Sequence, residues 1–381
     1  MSAGGASVDH AERPRTVLLV NEQLAGGGAE RQLIHIAEHL AAAGDRVVIV
    51  TWASPQVPDA YPLPAKVERL HLRRREPRRK AERIAATAGT WLKLVNLIRR
   101  TRADIIISFS DVSNMLATLA SRVTRVPIIV SIRADPEAVY ALKPHWRRPA
   151  LATYRRADTV VVQTEALARW CEVVCGRAAA VIPNMMVLKS PVRSPMSKRE
   201  RRVVSVASLD QRKGHDILIR AFARARRDSG DWSLRILGEG PERGRLEQLA
   251  AEEGLAGRVE LPGFDHAVDD VLDRSSIFAL ASRFEGFPNA LIEAMAMGMA
   301  AVATDSKYGP SDIIDQGRNG LLVAVDDVEG LADALARLMR DEALRERLGE
   351  AARSVRERYS AGTIMSLWRD TIAATIASRK R

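Results

Sequence analysis

The stretch Ser282-Arg-Phe-Glu-Gly-Phe-Pro-Asn-Ala-Leu-Ile-Glu-Ala-Met-Ala-Met-Gly298 decides the fold. It follows an apolar run, Ile277 to Ala281, that reads as a buried strand, turns at Gly286, and enters a helix that stops near Gly298. Pro288 is expected at the first helical position, where its missing N–H costs little. The unpaired amides and positive dipole end of such a helix form a natural seat for phosphate. Glu285 stands at the mouth of the turn and Glu293 about one and a half turns inside the helix. Leu291, Ala294, Met295 and Gly298 recur at helical spacing as the packing face, which leaves Glu293 on the other face. There it either binds a ribose diol or is an ordinary solvated side chain.

Working outward, the same strand–turn–helix grammar repeats along the chain. In the first half, TVLLVN (16–21), RVVIVT (46–51), residues 67–72, 104–109, 127–132, 159–162 and 179–182 read as strands. Between them lie helical patterns over 31–43, 84–98, 113–122, 150–156 and 167–174. In the second half, strands are expected at 203–207, 234–237, 259–261, 277–281, 300–303 and 320–325, and helices at 214–225, 331–359 and 363–378. Repeated β and α segments of this size predict an α/β protein with two doubly wound parallel sheets. The expected organisation is a flexible 1–15, a first Rossmann-like domain over 16–190, a Pro-, Ser- and Arg-rich linker over 191–202, a second Rossmann-like domain over 203–360, and a C-terminal helix over 361–381 packing back toward the first domain.

Ligands of such sheets gather beyond the carboxyl ends of the strands. The loops just after strands are therefore the informative ones: Gly26–Gly28, Arg133, Arg212–Lys213, Gly238 and Glu285–Asn289. The glycines at 26–28 do not have the spacing of a dinucleotide fingerprint, so they read either as a flexible turn or as close backbone approach to a phosphate. Lys213 precedes a helix start and, with Arg212, suits a diphosphate, the alternative being a solvated turn. No nucleophile triad, Walker loop or metal-binding spacing occurs, so no cofactor or metal is called for. Phosphate-stabilising cations and sugar-positioning carboxylates suit a reaction whose leaving group is a nucleoside diphosphate.

Composition narrows the setting. The 381 residues are long for one core, and 46% hydrophobic with 28% charged residues is a globular balance. No apolar run approaches the ~18 residues of a membrane span, and Met1–Arg15 shows no apolar signal region. The cysteines, Cys171 and Cys175, fit a reducing cytoplasm and plain helix packing rather than a metal or palmitoyl site. Residues 1–190 hold 28 Lys and Arg against 17 Asp and Glu, whereas 191–381 hold 30 against 30, so the net charge of +11 belongs to the first half. Between Arg69 and Arg102 alone there are twelve basic residues against two acidic ones. Followed by a helix with Trp91, Leu92, Leu94, Val95 and Leu97, and by the basic stretch Lys143-Pro-His-Trp-Arg-Arg148, this segment suits an anionic membrane surface or a solvated Arg-rich loop. A basic nucleic-acid-binding protein is the reading from another class, but 4% aromatic residues and the absence of RRM, KH or helix-turn-helix signatures speak against nucleic acid.

Taken in order, GGGAERQLIHIAEHL, VVVQTEAL, VIPN, RKGHDILIRAF, LGEGPE, ELPGF, EGFPNALIE and GPSDIIDQGRNGLLV resemble family 4 glycosyltransferases, retaining enzymes of the GT-B fold, from about Thr16 to Arg358. Glu285 and Glu293 match that family's E-x7-E motif. The resemblance implies two facing Rossmann-like domains with the active site in the cleft between them. It implies a nucleotide-sugar donor, UDP favoured and GDP possible, and a hydroxyl acceptor on a lipid-linked or polysaccharide-precursor glycan. It further implies that Glu285 contacts the donor sugar, Gly286 and Phe287 offer amides, Pro288 and Asn289 shape the helix start, and Glu293 binds ribose. Lys213 and Arg212 would neutralise the diphosphate, with Gly27 and Gly28 closing over it. Two departures stand out: Ser208 occupies the place of a phosphate-binding Arg, and Arg133 that of a His. A guanidinium is no base, so Arg133 is expected to hold a sugar hydroxyl, an acceptor phosphate or the diphosphate. A GT-B epimerase or phosphorylase is the alternative enzyme. The expected location is the cytoplasm, with a peripheral place on the inner membrane face left open.

Overall fold

The computed structural model describes residues 13–52, 59–72, 80–188, 194–227, 229–265 and 267–380. Much of the expected flexible N-terminus, the arginines at 73–75 and 78–79, and residues 189–193 of the expected linker lie outside these. Among the described residues, thirteen strands form two sheets. The first contains β1 (Thr16–Val20), β2 (Arg46–Thr51), β3 (Glu68–His71), β4 (Ile105–Phe109), β5 (Ile128–Ser131), β6 (Thr159–Val162) and β7 (Ala180–Val181), in the order β3-β2-β1-β4-β5-β6-β7. The second contains β8 (Glu200–Val206), β9 (Ser233–Leu237), β10 (Val259–Gly263), β11 (Ser275–Leu280), β12 (Ala300–Thr304) and β13 (Leu321–Val323), in the order β10-β9-β8-β11-β12-β13. The strand pairings described are all parallel. Continuous β-branched runs such as Val17–Val20 and Val47–Val50 are buried along their length, as strands covered on both faces must be.

The chain divides into two compact units. One comprises residues 1–131, 152–160 and 371–381, the other 132–151 and 161–370. In the first, the Gly28–Ala42 helix buries Leu33, Ile34, Ile36, Ala37 and Leu40, the 3.6-residue stripe read from the sequence. The end of the Ala361–Lys380 helix is fastened there through Thr375 Oγ1 and Thr159 Oγ1 at 2.7 Å and through Arg379, which reaches Ser121 and Asp158. In the second unit, Phe222, Leu218, Ile236, Ile277, Val302, Leu335 and Leu338 share one core with Trp232.

Several boundaries differ from expectation for local reasons. The helical stretch 331–359 is three helices, Val328–Arg340, Glu342–Ala352 and Val355–Arg358. Asp341 breaks it by turning extended and accepting the Leu344 N–H as a cap. The helix expected over 167–174 is Glu165–Trp170 followed by a π-helical turn, Cys171–Cys175, which buries both cysteines as thiols outside any disulfide. β8 starts at Glu200, inside the segment read as linker, after a 3₁₀ turn at Met196–Lys198.

The turn from β8 to its helix is tight. Gln211–Lys213 forms a 3₁₀ turn, Gly214 takes φ +62°, and the His215–Arg226 helix follows. A Cβ on Gly214 would stand 2.0 Å from the carbonyl oxygen of Ala281. Left-handed strain and overlap add, so Gly214→Ala should lose about 3 kcal/mol of stability. An unchanged urea midpoint for that variant would contradict the packing described.

His215 is 2% exposed, and its Nε2 lies 3.2 Å from the Ser208 carbonyl, which can only accept, so Nε2 carries the proton. Nδ1 is buried without a partner, and burial pushes the pKa down to about 4. Between the ordinary 6.5 and about 4 the unfolded chain takes up a proton that the folded chain refuses. Stability should therefore fall as pH drops through that window, by up to about 3 kcal/mol. His215→Gln, which has no titrating group there, should show a shallower slope of urea midpoint against pH over that window, and parallel slopes would refute the assignment.

Candidate active site

β8 and β11 are neighbours in the second sheet although some seventy residues separate them. Their C-terminal loops consequently lie side by side. Lys213 Nζ donates to Glu285 Oε1 at 2.7 Å, and Ser282 Oγ donates to the same oxygen at 2.6 Å. Glu285 is 8% exposed. An ionised carboxylate that deep needs such partners. Arg283 stitches the two loops together: its N–H donates to Arg212 O, its guanidinium grips Asp216 through two bonds of 2.9 and 3.0 Å, and it also reaches Gln211 O and Asp326. Arg283 stands in the opening stretch with no role legible there. A basic residue inside a turn has no sequence pattern that reveals its partners.

The helix after the turn runs Asn289–Ala296, with Pro288 just before it rather than at its first position. Residues Leu291 to Ala296 are all buried, which corrects the two-faced reading: the helix is enclosed on every side. Glu293 is 6% exposed, so the solvated alternative for it is excluded. The helix is held at its C-terminal end by two arginines. Arg199 Nη2 donates to Met297 O and Arg356 Nε to Ala296 O, both at 2.6 Å. They satisfy last-turn carbonyls that a buried helix end cannot give to water.

At the N-terminal end, Leu291 and Ile292 turn their amides back to Pro288 O at 3.1 and 3.4 Å, while those of Asn289 and Ala290 precede the first intrahelical acceptor. The Asn289 side chain joins an amide network. Arg133 Nη1 donates to Asn184 Oδ1 at 2.7 Å, Gln163 Nε2 donates to the same oxygen at 2.8 Å, and Asn184 Nδ2 donates to Asn289 Oδ1 at 2.7 Å. Gly286 lies against this corner, for a Cβ there would come within 2.9 Å of Arg133 O. The Arg133 guanidinium stacks over Trp368, 5.6 Å from the ring centroid, and burial pushes its pKa down to about 9, so it stays protonated at neutral pH. Gln163 and Asn184 are functional candidates that reading residue by residue does not single out, though both stand in quoted motifs, VVVQTEAL and VIPN.

Of the remaining expected site residues, Phe287 is 7% exposed and meets Tyr359 edge-on at 5.7 Å, so its ring is core. Arg212 is committed to Asp210 through Nε and Nη2 at 3.1 and 2.9 Å. Ser208 donates to Asp210 at 2.6 Å. Burial works against ionisation of Asp210, but the hydrogen bonds from Ser208 and Arg212 outweigh it and hold the carboxyl below its ordinary range. Gly27 and Gly28 belong to the first unit, where Gly27 has φ +156° and Gly28 opens a helix. Among the described residues no group of three or more His, Cys, Asp or Glu is arranged around a common metal position.

Comparison with known proteins gives this arrangement a family. Residues 26–188 match the model for Glycosyltransferase Family 4 and residues 189–355 that for Glycosyl transferases group 1. An exopolysaccharide phosphotransferase of Streptomyces coelicolor is 36% identical over 272 residues, 68% of this chain and 29% of that protein. An N-acetylgalactosamine-N,N'-diacetylbacillosaminyl-diphospho-undecaprenol 4-alpha-N-acetylgalactosaminyltransferase of Campylobacter jejuni is 38% identical over 148 residues, 39% of this chain and 40% of that protein. The matched part of this chain thus spans less than half the length of either relative. Among solved structures, HepE of Anabaena in complex with UDP-glucose shares the fold, with a TM-score of 0.78 at 22% identity over 96% of this chain and 100% of that one. With its two parallel α/β sheets of GT-B type and the two family segments in succession, the chain belongs to the family 4 glycosyltransferases.

Proposed function

We propose that the protein transfers a sugar from a nucleotide-sugar donor, a UDP-sugar by preference or a GDP-sugar, to a hydroxyl of a lipid-linked or polysaccharide-precursor glycan, with retention of anomeric configuration. The observation that carries this reading is the 2.7 Å contact of Lys213 with Glu285 beside the Asn289–Ala296 helix N-terminus. It sets a cation, a carboxylate and free amides within one small region, the set needed to hold a diphosphate and a sugar together. The relatives' names, which specify exopolysaccharide and undecaprenol-linked substrates, support the acceptor class. The UDP-glucose bound by HepE supports the donor class.

In this reading Lys213 donates one of its three N–H hydrogen bonds to Glu285 and offers the others to the diphosphate, toward which Arg212 adds the N–H donors that Asp210 does not occupy. The amides of Gly286, Phe287, Asn289 and Ala290 complete that seat. The free oxygen of Glu285 orients the donor sugar's hydroxyls, Glu293 takes the ribose, and Arg133 holds a sugar or acceptor oxygen. Transfer proceeds on one face of the sugar. The acceptor oxygen bonds to the anomeric carbon as the carbon–phosphate oxygen bond breaks, the electron pair leaves on the diphosphate, and the diphosphate takes the acceptor's proton. No metal is required in this scheme, because lysine and helix dipole carry the positive charge.

A melting-temperature screen against UDP-, GDP- and ADP-sugars should give a rise with at least the uridine or guanosine donor, since a ligand of the native state stabilises it by mass action. Lys213→Ala should retain the fold but lose roughly 10²-fold or more in turnover. Full activity of that variant would end the leaving-group assignment. A new glycoside formed only with acceptor present would separate transfer from epimerisation or phosphorolysis.

Peripheral attachment to an anionic membrane completes the reading. In the first unit, the Asp111–Thr124 helix exposes Leu119 and Val123 with Arg122 between them and Arg125 next to its end. The Lys80–Thr101 helix exposes Leu92 with Lys93, Arg99 and Arg100. Exposed apolar side chains ringed by cations suit an acidic lipid surface. The protein should float with vesicles containing phosphatidylglycerol and not with phosphatidylcholine alone. Leu119→Ser with Val123→Ser should weaken flotation, and equal recovery on both vesicle types would count against a membrane role.

A further inference from the structure

We propose that Asn184 is a polarity relay: by accepting from Arg133 and donating to Asn289, it compels Asn289 to present its side-chain N–H₂ at the helix N-terminus as a donor to an anion. The inference rests on the donor-site reading, adds two positioning residues to it, Asn184 and Gln163, and gives Arg133 a second role. Asn289 itself becomes a side-chain ligand of the leaving group rather than only a helix former.

Donor and acceptor identities set the direction of the chain. An amide carries oxygen and nitrogen on one planar group, and which way it points must be inferred from its neighbours. Arg133 removes the ambiguity, because a guanidinium has donors only. The Asn184 atom 2.7 Å from Arg133 Nη1 must be oxygen. The Gln163 atom 2.8 Å from that oxygen must then be nitrogen. The far end of Asn184 must be the N–H₂, and the Asn289 atom 2.7 Å from it must be oxygen. Each step forces the next, and the remaining end of Asn289 is its N–H₂.

Two observations show that the network enforces this direction. Asn184 and Gln163 are each 3% exposed, so neither can exchange a bad contact for water. Gln163 Oε1 is left buried without a protein donor. Turning the Gln163 amide over would set that oxygen against Asn184 Oδ1, so the orphaned acceptor is the lesser penalty. Asn289, by contrast, is only half-buried, and its Nδ2 bonds to no protein group among the described residues. It sits on the first residue of the helix, beside the free amides of Asn289 and Ala290. Its donor thus adds to a cluster of donors, which is what an anionic oxygen needs and what a sugar hydroxyl or a cation does not.

Asn184→Asp tests the relay. The carboxylate still accepts from Arg133 and Gln163, so the fold should persist with an undiminished melting temperature. It cannot donate to Asn289 Oδ1, so the Asn289 amide turns over, bonds to the new carboxylate with its nitrogen and aims oxygen at the seat. Affinity for the best binder among UDP, GDP and ADP, measured by calorimetry, should fall about 10-fold or more. The added charge alone would weaken binding too, and Asn289→Ala separates the effects. On that background Asn184→Asp should cost no more than about 3-fold, because the amide that it misdirects is gone. Equal losses on both backgrounds would leave only charge repulsion and overturn the relay, as would unchanged affinity in a folded Asn184→Asp protein. Should Asn184→Asp not fold, Asn289→Asp must bind more weakly than Asn289→Ala for the relay to stand. Wild-type protein that bound none of the three diphosphates would sink the donor reading itself, and with it the relay's purpose.

Discussion

The pairing of β8 with β11 is the constraint on which the site depends. It places two loops, distant in sequence, at the same edge of one sheet, and the Lys213–Glu285 contact is the chemical result. Because the pairing is parallel, both loops leave from carboxyl ends, where helices begin and amides are unpaired. Arg283 then ties the loops to each other through Arg212 O, Gln211 O and Asp216, so the lysine and the carboxylate are held by backbone as well as by their own attraction. Gly214 is needed in the same corner because the backbone at Ala281, just past the end of β11, leaves no room for a side chain.

One short helix of the site is anchored at both ends. Asn289–Ala296 is eight residues long and closed in all round, so it cannot rely on water for the groups at its ends. Arg199 and Arg356 take its final carbonyls, and the Asn184 network takes the side chain at its start. The foremost amides and the Asn289 side-chain N–H₂ are left for a ligand. A helix anchored in this way holds its positive end fixed, and a fixed dipole stabilises charge that develops during reaction without having to reorganise. Arg133 contributes twice, as a cation near that end and as the donor that sets the direction of the amide chain.

The architecture was legible in the sequence because buried parallel strands are written as short β-branched runs, and these located the strands of both sheets with errors of a few residues at their ends. The misplaced boundaries have local causes. Asp341 caps one helix where a periodic charged pattern suggested continuity, and Cys171–Cys175 takes a π turn that periodicity does not announce. Within the site, Glu285, Lys213 and Gly286 stood out because acids, cations and glycines in loops after strands point to chemistry. Arg283, Gln163 and Asn184 did not, since their importance lies in which atoms they meet across the fold.

Sequence by itself determined the two α/β sheets, the strand–turn–helix after β11 and the kinship to a glycosyltransferase family, because hydrophobic period, turn chemistry and motif order are properties of neighbouring residues. Tertiary structure alone decided that Glu293 is buried, that Arg212 is held by Asp210, and that the amide of Asn184 points one way. Each of these depends on enclosure and on partners brought together from different strands. Whether a polar atom is in water or in the interior, and whether it meets a donor or an acceptor, is fixed only when the chain has closed around it.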